Sequence, residues 1–132
     1  MNFSNKLIDW YNLNKRDLPW RRTKDPYKIW VSEIILQQTR IEQGEKYYHK
    51  FLNKYPNITS LANTNNNELL KIWEGLGYYS RALNMLKTSI IVVDKYQGIF
   101  PSTYNELIVL PGIGDYTASA ISSICKNEVN QC

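Results

Sequence analysis

Apolar residues in this chain recur at steps of three and four, and no stretch alternates over the length of a strand. Tyr79, Leu83, Leu86, Ile90 and Val93 carry the pattern furthest and predict one long amphipathic helix over Tyr79–Tyr96. Leu7, Ile8, Trp10, Tyr11 and Leu13 fit a short helix near the start, and the basic, Pro19-containing segment Asn14–Lys24 reads as loop. Asp25-Pro26 opens the next helix, because Asp caps free amides and Pro suits a first turn. That helix, from Tyr27 to about Thr39, is apolar on nearly every side and therefore belongs inside the fold. Further helices are expected at Ile41–Asn53, as one short turn within Asn57–Asn67, and at Glu68–Glu74, which stops at Gly75-Leu76-Gly77. Gly98 and Pro101 end the long helix. Thr103-x-x-Glu106 resembles a capping box leading to a helix with Leu107 and Leu110. Pro111–Gly114 is a tight turn, and Asp115 can cap a last helix bearing Ala118, Ala120, Ile121 and Ile124. The fold class is all-α, a multi-helix bundle of short helices and short loops.

Composition narrows the function classes. The 132 residues suffice for one domain with a core, and 43% hydrophobic against 21% charged residues is globular composition. The longest aliphatic run, Ile90–Val93, is far too short to span a membrane, and no apolar stretch follows Met1 as a signal peptide requires. A cytoplasmic protein without a membrane partner is expected. Sixteen Lys and Arg against twelve Asp and Glu give +4, which permits an anionic partner without requiring one. Cys125, Cys132 and the single His49 lack the number and spacing of a metal site, so no metal or cofactor is expected within the chain.

Four elements could carry chemistry. In Leu110-Pro-Gly-Ile-Gly-Asp-Tyr-Thr-Ala118 a helix ends, glycines turn the chain and a new helix begins. Gly112 and Gly114 could expose backbone amides to a phosphate, or could serve only the turn. Glu33 sits among the apolar residues of its helix, with Ile29, Trp30 and Leu36 as helical neighbours. Desolvation there would raise its pKa and suit it to general-acid work, whereas a Glu facing solvent would do neither. Adjacent Tyr78 and Tyr79 on a glycine-flanked loop could wedge between bases, or could cap a core. Arg16, Arg21, Arg22 and Lys24 around Trp20 suit phosphate contact with stacking, and equally a solvated basic loop.

In order, Leu18-Pro-Trp-Arg21, Trp30-Val-Ser-Glu-Ile-Ile-Leu-Gln-Gln-Thr39, Trp73-Glu-Gly-Leu-Gly-Tyr-Tyr-Ser-Arg81 and Leu110–Ala118 closely resemble the adenine DNA glycosylases of the MutY type. These belong to the helix-hairpin-helix base-excision superfamily, and the resemblance runs from about Leu7 to Cys125. It implies a six-helix barrel module with a helix-hairpin-helix near the C-terminus. It implies duplex DNA carrying adenine opposite 8-oxoguanine or guanine as partner, with the adenine flipped out and its glycosidic bond cleaved. Glu33 matches the general acid and Tyr116 a tyrosine beside the catalytic centre. Arg16, Trp20 and Arg21 match the adenine pocket, with Leu36 near it. Gln38 and Thr39 match contacts to the opposite strand, and Tyr78 matches the wedge beside 8-oxoguanine. Gly112 and Gly114 match the phosphate-holding hairpin. Lyases of the endonuclease III type place a lysine nucleophile where Tyr116 stands, so a monofunctional glycosylase is favoured.

The family's catalytic aspartate, its four-cysteine loop for a 4Fe-4S cluster and its C-terminal domain for 8-oxoguanine recognition have no counterpart in the sequence. Residues 1–132 are thus expected to form the N-terminal part of a glycosylase catalytic domain, with little activity alone. A non-catalytic helix-hairpin-helix DNA-binding module is the alternative, and an unrelated helical interaction domain a third.

Overall fold

The computed structural model describes residues 24–37 and 39–127, with side chains as far as Ser123. The expected helix Leu7–Leu13 lies outside the described residues, as do Arg16, Trp20, Arg21 and Gln38. Among the described residues the fold is all-α, with seven helices: α1 Pro26–Leu36, α2 Ile41–Lys54, α3 Ile58–Ala62, α4 Asn66–Trp73, α5 Tyr79–Tyr96, α6 Tyr104–Leu107 and α7 Asp115–Asn127. None of these helices is long and apolar enough to cross a membrane.

The helix starts follow local capping chemistry. Asp25 is extended and its carboxylate accepts the Tyr27 amide at 3.0 Å, with Pro26 as the first helical residue. Asn57–Asn67 is more helical than its polarity suggested. Asn57 accepts the Ser60 amide at 2.8 Å while the Ser60 hydroxyl accepts the Asn57 amide at 3.2 Å, a reciprocal cap that starts α3. Asn65 accepts the Glu68 amide at 2.9 Å, so α4 begins at Asn66, two residues earlier than expected.

Three further boundaries differ from the sequence reading. Helix α1 ends at Leu36 rather than near Thr39: the Gln37 amide closes the last turn on the Ile34 carbonyl, and the Thr39 hydroxyl bonds the Gln43 side chain of α2. Helix α6 holds Leu107 but not Leu110. The Thr103 hydroxyl caps it weakly, accepting the Glu106 amide at 3.4 Å, and donates to the Glu106 carboxylate at 2.7 Å. Asp115 lies inside α7, and its carboxylate accepts a hydrogen bond from the Tyr104 hydroxyl, which joins α6 to α7.

The core explains why α1 is apolar all round. It packs against both α2 and α7, while α5 packs on α3 and α4. Trp30, Phe51, Leu61, Leu69, Trp73 and Leu107 are almost wholly buried. Trp30 meets Phe100 with ring centroids 5.1 Å apart, and the buried Tyr27 hydroxyl donates to the Tyr55 carbonyl at 2.7 Å. The packing of α1 against α7 sets the site, because it brings Glu33 to the start of α7.

Candidate functional site

Glu33 is 5% exposed in the middle of α1. A carboxyl withdrawn from water favours its neutral form, and burial pushes the Glu33 pKa up from 4.5 to about 7. One group opposes the shift. Tyr116, in the first turn of α7, donates a side-chain hydrogen bond to the carboxylate and so favours ionisation. The pair is thus poised near neutrality: at pH 7 both protonation states of Glu33 are populated and one hydroxyl addresses the charged one. Just past the end of α1, the Gln37 side-chain amide donates to the Thr117 hydroxyl of α7 at 3.4 Å, a second tie between the two segments.

The Pro111–Gly114 turn is held from two sides. Ile113 is buried and closes the turn on the Leu110 carbonyl, and the Thr88 hydroxyl of α5 donates to the Pro111 carbonyl at 2.7 Å. Gly112 has φ +78°, and a Cβ there would lie 2.9 Å from the Asn84 Cβ. Both the left-handed backbone and the approach of α5 therefore require glycine. Gly114 differs: its φ is not positive, a Cβ would meet open space, and it is exposed. Of the two readings of these glycines, turn formation accounts for Gly112 alone.

A small cleft of about 30 Å³ lies between α1, α5 and this turn, lined by Trp30, Ile34, Gln37, Arg81, Asn84, Met85, Pro111 and Gly112. Tyr78, the residue before α5, is 63% exposed and in the left-handed region at φ +50°. The loop before it is pinned at both ends. The Tyr47 hydroxyl donates to the Glu74 carbonyl at 2.6 Å, and the Trp73 indole N–H donates to the Gly77 carbonyl at 2.9 Å.

The structure thus joins Glu33 to Tyr116 and ranges Gly112 around one cleft with α1 and α5. It does not bring Leu36 or Thr39 there. Leu36 and Thr39 face α2, where a Cβ at Gly44 would lie 2.6 Å from Leu36 Cδ2 and 3.2 Å from Thr39 Cγ2, so the absence of a side chain at Gly44 makes their seat. The residues overlooked in the sequence are Gln37, Arg81 and Asn84. Gln37 had a signal, for Trp30, Ile34 and Gln37 form one helical stripe, and Arg81 lies three residues after Tyr78 at the end of a motif already singled out.

Residues 31–129 match the family described as HhH-GPD superfamily base excision DNA repair protein. The chain belongs to this superfamily. The match spans Glu33, the Gly112–Gly114 turn and Tyr116. Among relatives, the superfamily chain is 47% identical over 126 residues to an adenine DNA glycosylase of Buchnera aphidicola subsp. Baizongia pistaciae, covering 95% of this chain and 36% of that one. It is 40% identical over 131 residues to the Homo sapiens adenine DNA glycosylase, covering 92% of this chain and 24% of that protein. The chain therefore spans about a third of the length of the bacterial relative. Its fold matches a thermostable thymine-DNA glycosylase with TM-score 0.79 at 31% identity, covering 95% of this chain and 58% of that one. It also matches endonuclease III in a trapped covalent complex with DNA, with TM-score 0.71 at 21% identity, covering 96% and 62%. Among the described residues no group of three or more His, Cys, Asp or Glu is placed to hold a metal ion.

Proposed function

We propose that residues 1–132 form the N-terminal, acid-bearing part of an adenine DNA glycosylase that acts on adenine opposite 8-oxoguanine or guanine in duplex DNA. The observation that carries this reading is the buried Glu33 carboxyl, titrating at about 7 and hydrogen-bonded across the core to Tyr116. A module that only binds DNA has no use for such a group, since a buried carboxylate near phosphates repels them. The adenine glycosylase relatives at 40–47% identity support the substrate class.

In this account the target adenine leaves the stack, because its reacting atoms are inaccessible inside it. Neutral Glu33 gives its proton to a ring nitrogen of adenine, and the glycosidic C–N bond breaks with its electron pair leaving on the base. Tyr116 then donates to the Glu33 carboxylate that remains. An aspartate beyond these residues, as in the family, would support the sugar cation. Open space at Gly114 suits backbone amides approaching a phosphate, and the exposed Tyr78 suits a wedge. Arg16, Trp20, Arg21 and Gln38 complete the proposed contacts to adenine and the opposite strand, whereas Leu36 and Thr39, packed against Gly44, are left out of them. A tyrosine at position 116 forms no imine, which supports a monofunctional enzyme.

The test is single-turnover release of adenine from an A:8-oxoguanine duplex by the full-length protein containing this chain. Release is expected to fall as pH rises through about 7, where Glu33 loses its proton. In Glu33→Gln it is expected to fall by roughly a hundredfold or more. Release that is flat from pH 6 to 8 and survives the substitution would overturn the assignment.

A further inference from the structure

Arg81 has no place in the account above, yet it sits where that account most needs support. Its guanidinium carbon lies 5.4 Å from the centroid of the Tyr78 ring. Its backbone amide closes the first turn of α5 on the Tyr78 carbonyl at 2.9 Å. Its side chain is half-buried and lines the cleft with Gln37 and Gly112, between the acid-bearing helix and the hairpin. We propose that Arg81 is a positioning residue: its guanidinium plane holds the exposed Tyr78 ring in the orientation that enters a distorted duplex. The inference rests on the reading of Tyr78 as a wedge.

Three observations separate this role from general stabilisation. First, Nη1 of Arg81 is buried with no hydrogen-bond partner among the described residues. Burial also lowers the Arg81 pKa, against the favourable effect of Tyr78. A buried, unpaired donor destabilises a fold, so a methionine filling the same space would serve stability better. Second, Tyr78 needs an external hold. Its backbone is in a region that L-residues avoid, it makes no side-chain cap to α5, and its ring stands in solvent. A guanidinium lying over the ring restricts rotation about χ1 and χ2 before DNA arrives. Third, the loop leading to Tyr78 is held at the Glu74 and Gly77 carbonyls by Tyr47 and Trp73, whereas neither bond orients the Tyr78 ring. A guanidinium also suits a phosphate, and the two roles differ in their salt dependence.

The experiment uses the 132-residue chain and an A:8-oxoguanine duplex carrying 2-aminopurine beside the 8-oxoguanine, whose fluorescence rises when it unstacks. The parent chain is expected to raise the signal at saturation. Arg81→Met is expected to lose at least half of that rise, keep the salt slope of binding, and melt at or above the parent temperature. Arg81→Lys, which keeps the charge without the stacking plane, is expected to restore part of the rise. A full signal in Arg81→Met overturns the inference alone. A salt slope reduced by about one unit assigns Arg81 to a phosphate instead, and a lower melting temperature makes it a strut; either overturns it. Failure of the parent chain to bind the duplex overturns the wedge reading and the inference with it.

Discussion

Glu33→Gln is expected to make the chain more stable at pH 8 by about 3 kcal/mol, and to raise its melting temperature by roughly 10 °C. The sign follows from the direction of the shift. The Glu33 pKa is raised from 4.5 in an unfolded chain to about 7 in the folded one. Below pH 4.5 both states hold the proton and the site costs nothing. Between pH 4.5 and 7 the unfolded chain ionises while the folded chain still holds its proton, so stability drains away as pH rises. Above 7 both are ionised and the full cost remains, about 1.4 kcal/mol for each pKa unit of the shift. Glutamine keeps the shape and can accept from Tyr116 but carries no charge. The advantage of the variant should therefore shrink to about 1 kcal/mol at pH 5. Thermal melts of both proteins across this pH range measure it directly. Equal stabilities at pH 8, or a gap that widens towards acid pH, would contradict the burial argument. A residue whose removal stabilises the fold while ending the reaction is what a strained functional carboxyl predicts.

Tyr78→Ala is expected to weaken binding to an A:8-oxoguanine duplex by roughly ten- to a hundredfold, the range for loss of one aromatic stacking platform. Binding to an A:T duplex should change much less, because an unopened stack offers the ring no gap. Tyr78→Gly sharpens the test. Position 78 has φ +50°, where glycine is favoured over alanine by about 1 kcal/mol. The glycine variant should be the more stable of the two while binding no better. Fluorescence anisotropy and thermal melts on both variants separate the ring from the backbone. A Tyr78→Gly variant that regains parent affinity would show that the backbone geometry, and not the ring, matters to DNA.

The reach of the sequence differs from element to element for physical reasons. The burial of Glu33 was only partly legible: α1 is apolar on nearly every side, which favours an enclosed residue at its middle, but a carboxyl facing solvent fitted the same pattern. The start of α1 was legible because Asp-Pro is a strictly local signal. The Glu33–Tyr116 contact was not: periodicity places each residue on a face of its own helix and says nothing of which helix covers that face. Only the resemblance, which sets a tyrosine beside the catalytic centre, put Tyr116 near Glu33. Leu36 shows the same limit, for it belongs to the helix of the acid yet faces α2, where Gly44 leaves room. The short helix α3 was muted by its polar composition and depends on the reciprocal Asn57–Ser60 cap. The hairpin was legible as a turn, whereas the reason Gly112 must be glycine lies in Asn84 of α5, a contact between segments distant in sequence. Arg81 was visible only as a residue of a motif, because the placement of its guanidinium over the Tyr78 ring is a matter of side-chain geometry that spacing does not give.

The central claim is that the fold holds Glu33 as a poised acid under the hand of Tyr116. The direct measurement is an NMR titration of the chain labelled with ¹³C at the glutamate side-chain carboxyls, from pH 4 to 9. One glutamate should titrate at about 7, and its midpoint should rise further in Tyr116→Phe, because the hydroxyl that favours the carboxylate is gone. If every glutamate titrates near the ordinary 4.5, or if the Glu33 midpoint ignores Tyr116→Phe, the account is wrong.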